Sequence, residues 1–155
     1  MIEQLMSRLR IYPTEYKTIS HAWSLDAIDA INGDMPMALF IPGAIHAEPS
    51  ESLPIRQRLA ESVVVVTLCD WRQLDTLRNQ LYGAMLGYQH APSYAELELR
   101  QGEVNRINGS VVQWMDMFTA DRWIQPDPEP QEPMLTVDGA GLTTNGAALI
   151  AGHDT

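Results

Sequence analysis

The sequence predicts an α+β fold: a mostly antiparallel or mixed β-sheet packed against two or three helices, with an extended C-terminal tail. Three observations predict it. Val63 to Val66 are four β-branched residues in a row, which suits a central strand covered on both faces. Residues 94–124, YAELELRQGEVNRINGSVVQWMDMFTADRWI, read as strands joined by a tight turn. Residues 2–10 and 74–88 instead place apolar side chains every three or four positions, the period of a helix.

In chain order, Ile2, Leu5, Met6 and Leu9 form the stripe of a first helix, which Pro13 ends. A short second helix is expected over 24–32, with Ser24 as N-cap and Asp26 in the first turn. Leu25, Ile28 and Ile31 would form its face, and Gly33 its C′ residue. MALFI at 37–41 is a buried strand closed by Pro42, and residues 42–54, with three prolines, read as a loop. RQRLAESVVVVTLC at 56–69 is the clearest strand. Asp70 then caps a helix, with Gln73 three residues on in a capping-box arrangement. Its stripe is Leu74, Leu77, Leu81, Met85 and Tyr88, with Gly87 near its end and Pro92 barring continuation.

Ala95, Leu97 and Leu99 alternate with Glu96, Glu98 and Arg100, as in a half-exposed strand. Val104 to Ile107 starts another, and Asn108-Gly109 is the pair preferred in a type I′ hairpin turn. Ser110 to Ile124 follows as a long strand carrying Trp114, Phe118 and Trp123. Its alternation falters at Asp116, where a bulge or a shared second face would account for it.

From Gln125 the character changes. QPDPEPQEP should be extended and polyproline-like, MLTV at 134–137 a short β segment, and GAGLTTNGAALIAGHDT weakly structured. Two regions are therefore expected: an α+β domain over 1–124, and an acidic Pro/Gly-rich extended tail over 125–155 that is mobile in isolation.

The chain has 155 residues, 45% of them hydrophobic, enough for one domain with a core. Net charge is −10. Residues 1–124 hold 15 acids and 10 bases; residues 125–155 hold five acids and no base. Such a chain should not grip a phosphate backbone, although it could line a channel through which nucleic acid slides. The single cysteine, Cys69, rules out an internal disulfide and a multi-cysteine zinc site, and is expected to be a buried apolar residue in a protein of the reducing cytoplasm. MIEQLMSRLR mixes acid and base without a long apolar core, so neither a signal peptide nor a membrane span is expected.

Chemical motifs are few. Gly139, Gly141 and Gly146 do not have dinucleotide-fingerprint spacing. His21, His46, His90 and His153 are scattered, with no helical pair to hold a metal, and are expected at the surface or in caps. Asp26/Asp29 and Glu96/Glu98 lie on the polar sides of amphipathic elements and read as solvated. No catalytic, cofactor-binding or metal-binding residue is assigned, and no cofactor is expected. Arg56 and Arg58 alternate at a strand edge, where they can pair with acids of a neighbour or guard the edge against aggregation. Met134, Leu135 and Val137 form a short apolar stretch able to add to a neighbour's edge strand. These five residues form the candidate subunit or partner interface.

The order of elements over residues 1–124 resembles that of tail terminator proteins of long-tailed phages and of lambda-like or Mu-like prophages. The echoes are MALFIP (37–42), RQR (56–58) before the valine run, LDTLRNQLYGAMLGY (74–88), and Trp114 with Phe118 ahead of Trp123. Tyr88 stands where relatives are expected to carry Trp, and the extension after Ile124 has no counterpart. The resemblance implies a structural virion protein and no enzyme. It implies a homo-hexameric ring that caps the tail tube, ends tail polymerisation and joins the tail to the head-side connector. Its partners would be itself, the major tail tube protein and a connector or stopper protein, with DNA passing through without specific binding and no membrane. It would be made and assembled in the host bacterial cytoplasm and reside in the tail or neck of the virion. One alternative is a head–tail connector or stopper subunit. Another, of a different class, is a small cytosolic enzyme with a site assembled from scattered histidines and acids.

Overall fold

The computed structural model describes residues 1–50 and 55–126, and beyond them the backbone of three short strands within 135–148. It is α+β. Helix α1 spans Ile2–Ile11, strand β1 Thr18–His21, β2 Met37–Ala47, β3 Gln57–Asp70, helix α2 Leu74–Met85, β4 Glu98–Asn108 and β5 Val111–Ile124. The five strands form one sheet in the order β1-β2-β3-β5-β4. β1 runs parallel to β2, and every other pairing is antiparallel. Residues 1–125 form one compact unit and 126–155 another.

The sheet buries both faces, as the valine run requires. Val63 and Val65 pack with Leu5, Leu9, Leu77, Leu81 and Phe118 under α1 and α2. Val66 faces the other way, with Ile28, Met37, Leu39 and Ile41. α1 buries Leu5, Met6 and Leu9, and it stops where Tyr12, the residue before Pro13, is forced into extended backbone. α2 opens with a 3-10 turn over Trp71–Gln73, in which Asp70 Oδ1 accepts the Arg72 N–H at 3.0 Å. Leu77, Leu81 and Met85 of its stripe are buried, joined by Ala84, while Leu74 and Tyr88 are half-buried. Gly87 follows at φ +73, a conformation that side-chain-bearing residues rarely adopt.

Several expectations are corrected. Residues 24–32 do not form an α-helix but a six-residue 3-10 helix, Leu25–Ala30. Ser24 makes no side-chain cap bond, and of the expected stripe only Ile28 is buried. Gly33 is not a C′ residue; it is a close-approach point, where a Cβ would lie 2.6 Å from Thr18 Oγ1. Strand β2 does not stop at Pro42 but runs on to Ala47, with an irregularity between Pro42 and Ile45. Proline is tolerated there because β1 covers only Met37–Phe40, so the outer side of β2 is already an edge at Pro42. Residues 51–54 of the expected loop lie outside the described residues.

Residues 98–108 are one strand, not two. The sequence looks interrupted because β4 carries two bulges, with Arg100 and Asn105 inserted against β5, and each bulge resets the alternation. The bulge expected in the long strand near Asp116 is therefore in its partner. β5 itself pairs with β3 from Val111 to Ile124 without a shift. The hairpin loop is Gly109-Ser110 rather than Asn108-Gly109, because Asn108 pairs with Val111. Gly109 takes the positive φ of +60 that primed turns need.

In the second unit, β6 (Leu135–Asp138), β7 (Gly141–Thr144) and β8 (Ala147–Ala148) form an antiparallel sheet in that order. The expected β segment thus begins at Leu135, and the stretch expected to be weakly structured supplies two strands. The proline-rich stretch over 127–133 lies outside the described residues.

Leu77 is fully buried beneath the sheet. Leu77→Asp should cost roughly 3–5 kcal/mol of a total near 5–15, through lost packing and a carboxylate without a partner. The expected outcome is an insoluble protein or one lacking a cooperative thermal transition, followed by circular dichroism.

Candidate functional site

Two of the five sequence-selected residues, Arg56 and Arg58, lie at the far end of the β3–β5 pair. Gln57 opposes Ile124 there and Arg58 opposes Trp123. Arg58 donates from Nε to Asp121 Oδ2 at 3.0 Å, places Nη2 on the same oxygen, and has Nη1 3.6 Å from Glu48. Its charge is thus met by acids of its own chain. Arg56 lies 4.7 Å over the ring of Trp123, which is 55% exposed. Ile55 beside it is also exposed. The result is an aromatic–arginine rim of the composition favoured in interfaces. Met134 lies outside the described residues, and Leu135 and Val137 belong to β6. The structure does not describe any link between β6 and the arginines.

A neighbouring cluster occupies the helix side of the same sheet end. Arg122 Nε donates to Glu61 Oε1 at 2.6 Å, and Tyr94 Oη donates to Glu61 Oε2 at 2.9 Å. His90 packs on Tyr94 at 4.1 Å and is buried, contrary to the surface position expected of it. His21 and His46 are exposed as expected, and His153 lies outside the described residues.

Asp116 is fully buried under α2. Its Oδ1 accepts from Tyr82 Oη at 2.7 Å and from Trp114 Nε1 at 2.9 Å. Arg78 donates to Tyr82 Oη at 2.7 Å and stacks 4.0 Å over Trp114. Burial pushes the Asp116 carboxyl above its usual range, against the two hydrogen bonds and the Arg78 charge, which pull it down. These contacts tie α2 to β5. Gly102 makes room for them, since a Cβ there would meet Asp116 Oδ1 at 2.7 Å.

The other sheet face holds an apolar groove of about 290 Å³, lined by Leu25, Ile41, Pro42, Val64, Met115 and Met117, with Gln101 and Glu103 at its rim. Cys69 is buried in the helix-side core, and burial pushes its thiol up to about 11, so it is a packing residue rather than a nucleophile. Among the described residues, no three His, Cys, Asp or Glu side chains are grouped to hold a metal ion. No described helix is long and apolar enough to cross a membrane.

The family model for phage tail terminator proteins matches residues 2–128. The chain belongs to the phage tail terminator family. No curated protein matches it. Among solved structures, it is similar to a chain from the virion of a native gene transfer agent (GTA) particle, with 10% identity and a TM-score of 0.45 over 77% of this chain and 83% of that one. As a tail terminator family member the protein has a structural role in a phage tail, and the match spans the whole sheet-and-helix unit.

Sequence reasoning expected Arg56 and Arg58 at a strand edge, whereas Arg58 lies in the central strand β3, between β2 and β5, and it missed Asp116 as the centre of a buried network. Its signal was present as an acid inside an apolar alternation. Gly102 carried no signal, because its partner is fixed by bulges in β4. The Gly102→Ala variant should therefore displace Asp116 and lower stability by about 1–3 kcal/mol. Urea melts read by tryptophan fluorescence check this; an unchanged midpoint would show that the network yields without cost.

Proposed function

We propose that this protein is a ring-forming subunit that caps the phage tail tube, ends tail polymerisation and joins the tail to the head-side connector. The match of residues 2–128 to the tail terminator family carries this reading. The ring is a homo-hexamer whose partners are its own copies, the major tail tube protein and a connector or stopper protein. Its mechanism is geometric: a closed ring uses up the surface on which another layer would grow. Net charge of −10 suits a channel that repels DNA and lets it pass. The subunit is made and assembled in the host bacterial cytoplasm and resides in the tail or neck.

Interface candidates follow from exposure. The Arg56–Trp123 stack presents a cation and an indole together at the end of β3 and β5. Arg58, held by Asp121 and Glu48, orders that rim rather than reaching across it alone. β1 is a four-residue edge strand whose Ile19 O accepts from Arg10 Nη2 at 3.2 Å, and β6 is a four-residue edge strand of its own sheet. We assign Met134, Leu135 and Val137 to strand addition on a neighbour, for which an edge of matching length is the natural acceptor.

Two measurements test this. Light scattering and electron microscopy of the full chain, alone and with purified tail tubes, should give rings or tubes closed at one end. A strict monomer that leaves tube ends bare and growing would refute the assignment. Truncation after Ile124 should leave the melting temperature of the main unit nearly unchanged while weakening ring or partner contacts. Loss of the cooperative transition on truncation would instead make residues 125–155 part of the folded domain.

A further inference from the structure

The chain leaves α2 and returns to the sheet through residues 88–97. This loop is pinned at its mouth, where Gly87 N–H donates to Leu97 O and Leu97 N–H to Tyr88 O, both at 3.1 Å. Inside it, Tyr94 N–H donates to Ala91 O at 3.0 Å and Gln89 Nε2 to Tyr94 O at 2.7 Å. Ala95 N–H ties it to Asp121 O of β5 at 2.6 Å. His90 is folded beneath, 9% exposed, and neither ring nitrogen has a hydrogen-bond partner among the described residues.

A neutral imidazole so placed is an anomaly, because a buried donor and acceptor both go unmet. A charged one would be worse, with two N–H donors and an excess proton. The nearby carboxylate does not relieve this. Glu61 already accepts from Tyr94 Oη and Arg122 Nε. Arg122 also lies over the Tyr94 ring at 5.2 Å, adding positive charge to the same cluster.

We propose that loop 88–97 is an acid-sensitive latch, closed over neutral His90 and released when that imidazole takes a proton and must reach water. The groups that face His90 set the direction. Burial, first, and the Met1 ammonium, second, hold its pKa below the ordinary 6.5, while Glu61 opposes them weakly. Folding therefore favours the neutral form. The closed loop keeps its full stability above about pH 6.5 and loses it as pH falls below that value. Opening would break the Ala95–Asp121 bond and unstack His90 from Tyr94, leaving the central β3–β5 pairing intact.

Amide hydrogen exchange on the full chain, corrected for intrinsic rates, tests this. Protection of residues 88–97 should fall several-fold between about pH 7.5 and about pH 5, while that of α2 and β5 holds. His90→Phe keeps an aromatic ring against Tyr94 without a titrating group, and its loop protection should not change with pH. If that variant fails to fold, His90→Gln should behave the same way. Equal protection of the wild-type loop at both pH values overturns the latch. So does a pH response that survives in the non-titrating variant, which would place the sensor outside His90.

Discussion

The antiparallel pairing of β3 with β5 is the constraint on which the main unit depends. It runs without a shift from Gln57↔Ile124 to Asp70↔Val111. A strand's side chains alternate, so a slip of one residue would move Val63 and Val65 off the helix side and present Val64 and Val66 in their place. Because both faces are packed, that slip would cost burial twice. The other strands inherit their registers from this pair. β2 follows β3 until Pro42 and then loses step, and β4 follows β5 only by inserting Arg100 and Asn105. Irregularity is thus confined to strands with a free side, where it disturbs one neighbour instead of two.

Asp116 sits in the middle of this rigid pair, opposite Val65 on one side and Gly102 on the other. Burying a carboxyl there costs free energy that an apolar residue would not. What it contributes is direction. Tyr82 and Trp114 both donate to one oxygen, and Arg78 is held by Tyr82 and Trp114 together. Hydrophobic contact alone would let α2 slide along the sheet, since Leu77 and Leu81 could pack in several places. Hydrogen bonds from Tyr82 to a fixed point on β5 leave one position.

The central elements were legible because their signals were local and redundant. The valine run, the stripes of α1 and α2, and the Asp70 cap each repeat the period of the element they specify. The surroundings of Arg56 and Arg58 were not legible. The sequence could not show that Arg58 would be occupied by Asp121, 63 residues away, or that Arg56 would lie on Trp123. The errors share a cause. Pro42, Gly33 and the apparent break inside β4 were read as local punctuation, but each is decided by what lies alongside in space. The three-stranded C-terminal sheet was missed for the opposite reason. The sequence between its strands includes Asn145-Gly146, a strong hairpin signal, outweighed by a composition that suggested a tail.

Exposed large apolar side chains lie at helix ends, as Ile11, Trp71 and Leu86 do, and along the sheet. Trp23 follows β1, Ile45 lies on the outer stretch of β2, Val104 and Ile107 on β4, and Trp123 at the end of β5. Those on the sheet lie where strands end or lack a neighbour. β4 is the long free edge, yet two bulges and four charged side chains, Glu98, Arg100, Glu103 and Arg106, make it a poor template for another strand. The edge therefore withholds its backbone while displaying its side chains. That distinction matters for a member of a family whose role is to terminate. Strand addition along the whole length of β4 would create a new long open edge, so growth by that route has no built-in stop. Contact between fixed side-chain patches is used up once the patches meet, and a closed set of such contacts leaves nothing to extend. In the tail terminator reading, then, the bulges of β4 do more than prevent aggregation. They make β4 a poor acceptor for strand addition.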